Sequence, residues 1–243
     1  MLQMRSVSKQ YPHRGKVVVA LNAVTLDIPK GDHVAVVGPS GSGKSTLLLM
    51  FGGMMSPSAG QVLLDGQSLY ELDTEGRAAL RREKIGFVFQ TFNLVPYLSA
   101  MENVQVPLFL AGVNEANQRK QAASLLERVG LADRLDHKPS ELSVGQQQRV
   151  ALARMLANNP EVILADEPTG NLDPDTSQEI LAFFEELNRE GRTVVVVTHD
   201  LRAAQRAKRV LRLVDGMIAT AEHAKALSRR AHGAEAMCRS ESR

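Results

Sequence analysis

Residues 38–46 combine glycines, a lysine and hydroxyl side chains at spacings that suit the binding of phosphate groups. They match the phosphate-loop pattern G-x-x-x-x-G-K-[ST]. Glycines permit the tight turn that directs successive backbone N–H groups at one anion. Lys44 is expected to bridge the outer phosphates, and the Ser45 hydroxyl to hold Mg²⁺. The loop expected to contact the nucleotide comprises Gly38, Pro39, Ser40, Gly41, Ser42, Gly43, Lys44, Ser45 and Thr46.

The sequence on either side of this loop supports the same interpretation. Residues 33–37 are mostly apolar and rich in valine, as in a short strand, and residues 47–50 continue as a helix. The N-terminus of that helix adds its positive dipole end to the anion site. An ordinary glycine turn before a helix is the alternative, and the strand–loop–helix order argues against it. The sequence therefore predicts a site for a nucleoside triphosphate.

Two adjacent carboxylates follow a second apolar strand, at residues 162–165. In a parallel α/β sheet, ligands bind outside the C-terminal ends of the strands, where the phosphate loop also lies. Asp166 is expected to join the Mg²⁺ shell. Glu167 is expected to deprotonate the attacking water, a role that contributes about 10²–10⁴ in rate. The alternative is an acidic pair at a surface turn, and the phosphate loop makes it the weaker one.

Two further polar residues end strand-like segments. His199 follows the buried-strand pattern at residues 193–197, and it is expected to contact the terminal phosphate and hold Glu167 and the water in register. Gln90 ends residues 85–89, and its uncharged amide can share a Mg²⁺ shell or a water and still swing away. Taken alone, a structural histidine and a solvent-facing glutamine are the ordinary interpretations of such residues.

A second helix start is suited to binding an anion. Residues 142–151 read Leu-Ser-Val-Gly-Gln-Gln-Gln-Arg-Val-Ala, so free N–H groups and the Ser143 hydroxyl lie at the predicted N-terminus. This segment has no lysine of its own. The chain therefore carries two helix starts that favour phosphate.

The remaining pattern predicts the elements that position these residues. Residues 16–21 and 24–28 read as antiparallel strands broken at Asn22, and the chain from about 91 to 160 is mostly helical. Between the two later buried strands, a helix is expected to begin with Asp173 as N-cap and end at Gly191. A closing hairpin with a primed turn is expected at Asp215-Gly216. The pattern predicts an α/β core with a helical insertion.

These motifs resemble those of ATP-binding-cassette (ABC) ATPases, whose signature is usually written Leu-Ser-Gly-Gly-Gln. The phosphate loop, Gln90, Asp166–Glu167, Asn-Leu-Asp at 171–173 and His199 occur in that family's order. The resemblance implies a P-loop NTPase fold with N-terminal antiparallel strands, which hydrolyses ATP with Mg²⁺. The implied ATP-binding domain covers residues 1–220 with the helical insertion at about 91–160, followed by a polar tail at 221–243 that we expect to be flexible.

The resemblance also implies a head-to-tail homodimer that buries two ATP molecules. Each ATP would lie between the phosphate loop of one subunit and Ser143, Gly145 and Gln146 of the other. Asp173 would couple the two sites, and Tyr11 would stack on adenine. Val144 stands where the family's signature has its first glycine, and we expect activity to survive if φ stays negative there.

Residues 89–104 and 165–173 look most like the bacterial branch that contains lipoprotein-releasing, macrolide-exporting and cell-division cassettes. In that branch the surface after Gln90 receives short helices of a separate membrane permease. The exposed apolar candidates are Phe92, Leu94, Val95, Tyr97 and Leu98. The implied function is export or extraction of a lipophilic or lipoprotein-like substrate, driven from the cytoplasmic face of the inner membrane. A membrane-associated ATPase that transmits a signal or force without transport is the alternative.

Composition narrows the function classes. The 243 residues have a net charge of +2, which gives no reason to expect a nucleic-acid partner. The single Cys238 excludes an internal disulfide, and we expect no signal peptide and no membrane span. Soluble cassettes that act on DNA or ribosomes form another class, but they carry long coiled-coil insertions or two cassettes, and this sequence shows neither.

Overall fold

The computed structural model describes residues 1–13 and 15–219, so the predicted tail at 221–243, with Cys238, lies outside the described residues. The strands are β1 (Leu2–His13), β2 (Lys16–Ile28), β3 (His33–Val37), β4 (Ala59–Leu64), β5 (Gln67–Ser68), β6 (Ile85–Phe89), β7 (Val162–Asp166), β8 (Thr193–Thr198), β9 (Arg209–Val214) and β10 (Met217–Ile218). The helices are α1 (Lys44–Phe51), α2 (Thr74–Lys84), α3 (Ala100–Leu110), α4 (Glu115–Arg128), α5 (Val144–Leu156), α6 (Pro174–Arg189) and α7 (Leu201–Gln205). A 3₁₀ turn covers Pro139–Glu141. Within the described residues, no helix is long and apolar enough to cross a bilayer.

A six-stranded sheet in the order β10-β9-β3-β8-β7-β6 forms the centre of the molecule. All its pairs are parallel except the hairpin between β9 and β10. Every residue of β8 is buried, because helices or the second sheet cover both faces, as parallel sheets require. The C-terminal ends of β3, β6, β7 and β8 therefore meet at one edge. The predicted α/β fold class is confirmed.

Alternation along β7 decides which way its terminal carboxylate faces. Ile163 and Ala165 pack into the core cluster built by α3, α4, α5 and α6, whereas Val162 and Leu164 pack into the cluster that contains α1. Residues two apart on a strand share a face. Asp166 is therefore directed toward the α1 side, where the phosphate loop ends.

The N-terminal residues form a second, antiparallel sheet in the order β2-β1-β4-β5. The predicted break at Asn22 is wrong, since β2 runs without interruption through this position. The strand instead contains a β-bulge next to Asn22. Ala23 has a φ of 47° and its N–H donates to Ser8 Oγ at 2.9 Å. The register of the pairing between β1 and β2 shifts close to this position. A bulge lets a strand continue where the sequence pattern suggests a stop.

Short-range signals predicted the later elements correctly. Asp173 caps α6 by accepting a hydrogen bond from Thr176 N at 3.0 Å, and Gly191 has a φ of 95° just beyond the helix. Asp215 and Gly216 both have positive φ, as a primed hairpin turn requires. Helices α3, α4 and α5 lie between β6 and β7, where the helical insertion was predicted.

Glu161 lies directly before β7, and its ion pairs are expected to stabilise the N-terminal edge of the sheet. Hydrogen bonds from Lys30, at 2.6 Å, and from Lys84 lower the pKa of Glu161 to about 2. Because the pKa of Glu161 is lower in the folded chain than in the unfolded chain, its ionised carboxylate stabilises the fold at pH values above the unfolded pKa. This stabilisation is lost as pH falls from about 4.5 toward 2. Because the side chain is partly solvent-screened, we expect Glu161→Gln to lower the unfolding free energy by about 1 kcal/mol at pH 7.

Urea unfolding at pH 7 and at pH 3.5 measures this effect. The difference between Glu161→Gln and wild type should shrink at the lower pH, because the Glu161 carboxylate of the unfolded chain begins to protonate there while that of the folded chain, with its pKa of about 2, stays ionised. Glu179→Gln, on the exposed part of α6, is the matched control and should be neutral at both values. An equal destabilisation by Glu161→Gln at both pH values would contradict the ion-pair explanation.

Candidate active site

A cavity of about 630 Å³ opens at the C-terminal edge of the six-stranded sheet. Its lining includes every predicted phosphate-loop residue except Ser42, which is buried behind the loop. Gln90, Glu167 and His199 line the same cavity, although they come from three different strand ends. Its volume lies in the range of pockets that hold small molecules and cofactors.

Two glycines of the loop have no room for a side chain. Gly43 has a φ of 101°, and a Cβ there would lie 2.2 Å from Ala20 O. A Cβ on Gly38 would lie 2.1 Å from Leu213 O. The loop can therefore pass close to β2 and β9 only because these positions are glycine.

Lys44 occupies the centre of the phosphate loop. Its Nζ donates to Gly38 O at 2.9 Å and to Pro39 O at 3.1 Å, and the side chain is largely buried. The ammonium makes no ion pair with a carboxylate among the described residues. A buried cation held only by carbonyls is well suited to an anionic ligand such as phosphate.

Ser45 lines the cavity, and its Oγ donates to Asp166 Oδ1 at 3.1 Å, whereas Asp166 itself is not one of the lining residues. Burial raises the pKa of Asp166, and the hydrogen bond from Ser45 partly offsets that rise. No group of three or more His, Cys, Asp or Glu side chains that could by itself hold a metal ion occurs in the part of the chain described. Mg²⁺ commonly uses one or two protein oxygens together with substrate phosphates and water. This hydroxyl–carboxylate pair, with Gln90 nearby, fits that ion.

The Glu167 carboxylate is held by the end of β8. Its Oε2 accepts hydrogen bonds from Thr198 Oγ1 at 3.1 Å and from His199 N at 3.3 Å, and its Oε1 lies 2.9 Å from His199 Nδ1. Glu167 also has a φ of 46°, an uncommon backbone conformation for a residue with a side chain. Sequence reasoning missed the contact of Thr198 because nothing in the pattern distinguishes it from other strand-end threonines.

Gln90 is connected to the Asn-Leu-Asp segment. Asn171 Nδ2 donates to Gln90 O at 3.0 Å, and Gln90 Nε2 approaches Asn171 Oδ1 at 3.5 Å. A Cβ on Gly170 would lie 2.8 Å from Gln90 Nε2, so the loop passes directly beside this amide. The entry to the helical insertion and the loop after Glu167 thus contact each other.

The signature residues lie at the start of α5 and do not line the cavity. Ser143 Oγ accepts from Gln146 N at 3.2 Å, and Gln146 Oε1 accepts from Ser143 N at 3.0 Å, so together they form a capping box. Val144 is the first residue of α5, is 47% exposed and is not among the positive-φ residues. Activity is expected to survive with valine at this position if φ stays negative, and the structure meets that condition.

Two other predicted residues also lie away from the cavity lining. The Tyr11 hydroxyl donates to Met55 Sδ at 2.7 Å, and Lys9 Nζ lies 5.2 Å from the ring centroid. Its contact with adenine stays a prediction. Asp173 caps α6, and hydrogen bonds from Thr176 lower its pKa. Neither residue lines the cavity of its own chain.

Comparison with known proteins gives a consistent family. The model of the family described as ABC transporter matches residues 21–170. An uncharacterised ABC transporter ATP-binding protein of Thermotoga maritima is 48% identical over 217 residues, which cover 89% of this chain and 93% of that protein. A macrolide export ATP-binding/permease protein of Hyphomonas neptunium is 48% identical over 218 residues, covering 90% of this chain and 34% of that protein. The chain thus spans about a third of the length of the macrolide-export relatives it matches.

Solved structures agree with the sequence relatives. The ATP-binding cassette MJ0796, in a dimeric post-hydrolysis state with ADP and phosphate bound, superposes with a TM-score of 0.86 at 44% identity. The match covers 90% of this chain and 97% of that one. Both the fold and the order of the motifs are accounted for by one family. The chain belongs to the ABC transporter family, and within it to the ATPase cassettes.

Proposed function

We propose that residues 1–220, with a helical insertion at about 91–160, form an ATP-binding domain that hydrolyses ATP in the cavity described above. The observation that carries this proposal is the Glu167 carboxylate, held by Thr198 and His199 in the same cavity as Lys44 and Ser45. A fixed carboxylate beside a phosphate-binding loop is the arrangement that water-activated phosphoryl transfer requires.

Each side chain has a separate task in this reaction. The loop N–H groups and Lys44 bind the phosphates, and Glu167 takes a proton from the attacking water. His199 holds Glu167 in place and contacts the terminal phosphate. Mg²⁺, held by Ser45, Gln90 and Asp166 directly or through water, would neutralise charge that develops between the phosphates.

A second copy of the chain completes the site. Ser143, Gly145 and Gln146 are exposed or half-buried at a helix start, yet they lie outside the cavity of their own chain. A head-to-tail dimer would bring this helix start to the partner's ATP and exclude water from it. The dimeric form of the structural neighbour supports this arrangement. Asp173, at the loop between the sites, would couple them, and Tyr11 would contact adenine.

The loop after Gln90 offers a surface for a membrane permease. Of the five apolar candidates, Tyr97 is 84% exposed and Val95 40%, whereas Leu94 packs against the helical core. A groove of about 470 Å³ lies between α2, β6 and α3, with Met54, Phe89 and Leu110 in its wall, and Phe89 directly precedes Gln90 in the chain. Exposed aromatic and apolar side chains favour a protein partner. The macrolide-export relatives carry a permease name along with the ATP-binding one.

We therefore propose a peripheral subunit at the cytoplasmic face of the inner membrane that drives export or extraction of a lipophilic or lipoprotein-like substrate. A subunit that transmits a signal or force without transport remains the second candidate. It rests on the same docking surface, and it differs only in what the membrane partner does with the closure of the dimer.

Replacing the exposed tyrosine tests the docking surface. Tyr97→Glu should weaken the complex with an integral membrane protein about tenfold or more, since exposed aromatic side chains often dominate interfaces. The measurement is co-purification from detergent-solubilised membranes, followed by ATPase assays of the recovered complex. Val210→Glu, at a position 52% exposed on β9, is the matched control. Cargo release with the reconstituted pair separates transport from signalling, and recovery of ribosomes or DNA instead would contradict both candidates.

A further inference from the structure

Gln148 joins the signature helix to the loop that follows Glu167. It lies on α5, its side chain is fully buried, and its Nε2 donates to Pro168 O at 2.7 Å. Pro168 comes directly after Glu167, whose left-handed backbone needs support from its surroundings to persist. Fixing the next carbonyl restricts how the Glu167 backbone can move.

A second contact holds the same two segments together nearer the start of α5. A Cβ on Gly145 would lie 2.9 Å from Thr176 Cγ2, so the first turn of α5 packs directly against the first turn of α6. The chain that enters α6 is the loop that begins at Pro168. The signature end of α5 and the loop after Glu167 are therefore connected by one buried hydrogen bond and one close packing contact.

Glutamine leaves one polar atom unpaired at this position. Gln148 Oε1 is buried and has no hydrogen-bond partner among residues 1–13 and 15–219. An apolar side chain of similar length would remove this unpaired oxygen, but it would leave the carbonyl of the buried Pro168 without the Gln148 donor, so stability alone does not favour glutamine. The hydrogen bond to Pro168 is the feature that only the amide supplies.

We infer that Gln148 is a positioning residue, which transmits the position of the signature end of α5 to Glu167 of the same chain. The inference rests on the proposed dimer, in which Ser143 and Gly145 contact the partner's ATP while Glu167 acts on the ATP of its own chain. Nucleotide bound by the partner then fixes the start of α5. Through Gln148 and Pro168 it also fixes the catalytic carboxylate, so each site responds to the occupancy of the other.

The test compares Gln148→Met and Gln148→Leu with a matched control on the same helix. Gln147 also donates its amide to backbone carbonyls, Pro139 O at 3.0 Å and Leu142 O at 3.1 Å, but neither belongs to the catalytic loop. Gln147→Met should therefore keep the wild-type kcat and Hill coefficient for ATP hydrolysis. For Gln148→Met we expect kcat to fall about five- to tenfold, the effect of one neutral hydrogen bond, with KM changed by less than about twofold.

Two further readouts separate positioning from packing. The Hill coefficient of Gln148→Met should fall toward one, while its Tm should stay close to the wild-type value, because the unpaired Oε1 is gone but Pro168 O loses its donor. Wild-type kcat and cooperativity in the variant would overturn the inference. Parallel losses of kcat and Tm, or failure of both Gln148 variants to fold, would overturn it too, since they indicate a packing role. So would a wild-type Hill coefficient of one.

The proposed function fails in a different way. A wild-type chain without ATP hydrolysis, or a Glu167→Gln chain that stays monomeric with saturating ATP and Mg²⁺, would contradict the composite site itself. Both results are obtained without any change at Gln148. Retained hydrolysis and dimer formation with an inert Gln148 would contradict the positioning role alone.

Discussion

Replacing Glu167 by glutamine should lower the kcat of ATP hydrolysis by about 10²–10⁴, the range that a general base contributes. The amide keeps the size of the side chain and its contacts with Thr198 and His199, but it cannot accept the proton of the attacking water. Binding should change little, because the phosphate loop and Lys44 are intact. The variant should therefore hold ATP and accumulate as a closed dimer, which analytical ultracentrifugation with Mg²⁺ and ATP measures.

Glu161→Gln is the matched control for this experiment. Glu161 lies at the opposite end of β7 and pairs with Lys30 and Lys84, away from the cavity. Its replacement should leave kcat within about twofold of wild type, although it lowers stability slightly. Near-normal hydrolysis by Glu167→Gln would show that another group activates the water.

Replacing Lys44 by alanine should weaken ATP binding about 100-fold or more, since the proposed role of its ammonium is to form charge-assisted hydrogen bonds with two phosphates. In the structure the ammonium is buried and held by Gly38 O and Pro39 O, both of them in the loop that would surround the phosphates. Isothermal titration with ATP measures the change in Kd. Circular dichroism checks that the variant is folded.

Lys120→Ala provides the comparison, because Lys120 is exposed on α4 and distant in sequence from the loop. It should bind ATP as wild type does. An unchanged Kd for Lys44→Ala would contradict the assignment of the phosphate loop, whatever the state of the other residues in the cavity.

Elements that are specified by neighbouring residues were predictable from the sequence. The start of α6 depends on Asp173 and Pro174, and the closing turn depends on Asp215-Gly216, so each signal lies within the element that it determines. The parallel core was predictable for a similar reason, since the apolar runs of β7 and β8 are typical of fully buried strands. These features place the main site residues at one edge.

The sequence pattern predicts no element at α2, which has no buried residue and therefore no apolar stripe. Its helix depends on the Asp73 cap, which accepts from Gly76 N at 2.7 Å, and on good helix formers such as alanine, leucine and arginine. Hydrophobic periodicity identifies a helix by its buried apolar face, so it does not detect a helix that has no buried residue. Capping signals are the observation that would have found it.

Contacts between distant residues were not predictable in the candidate site. Gln90 and Asn171 are 81 positions apart, and Gln148 contacts Pro168 across 20. The sequence does not indicate which residue each of these polar side chains contacts, because only the packing of β6, β7 and α5 brings them together. The order of the motifs indicated the candidate site residues, whereas the contacts between the motifs could be seen only in the folded structure.

The capping box at the start of α5 limits which residues can stand at position 143. Its hydroxyl oxygen accepts from Gln146 N, and a hydroxyl keeps one proton that it can still donate. Aspartate begins helices as well as serine does, yet it is acceptor-only and would repel a phosphate. Alanine would lose both capabilities. In the proposed dimer, the side chain at position 143 must cap the N-terminus of its own helix and also donate a hydrogen bond to the phosphate bound by the partner. Few small residues other than serine and threonine can do both.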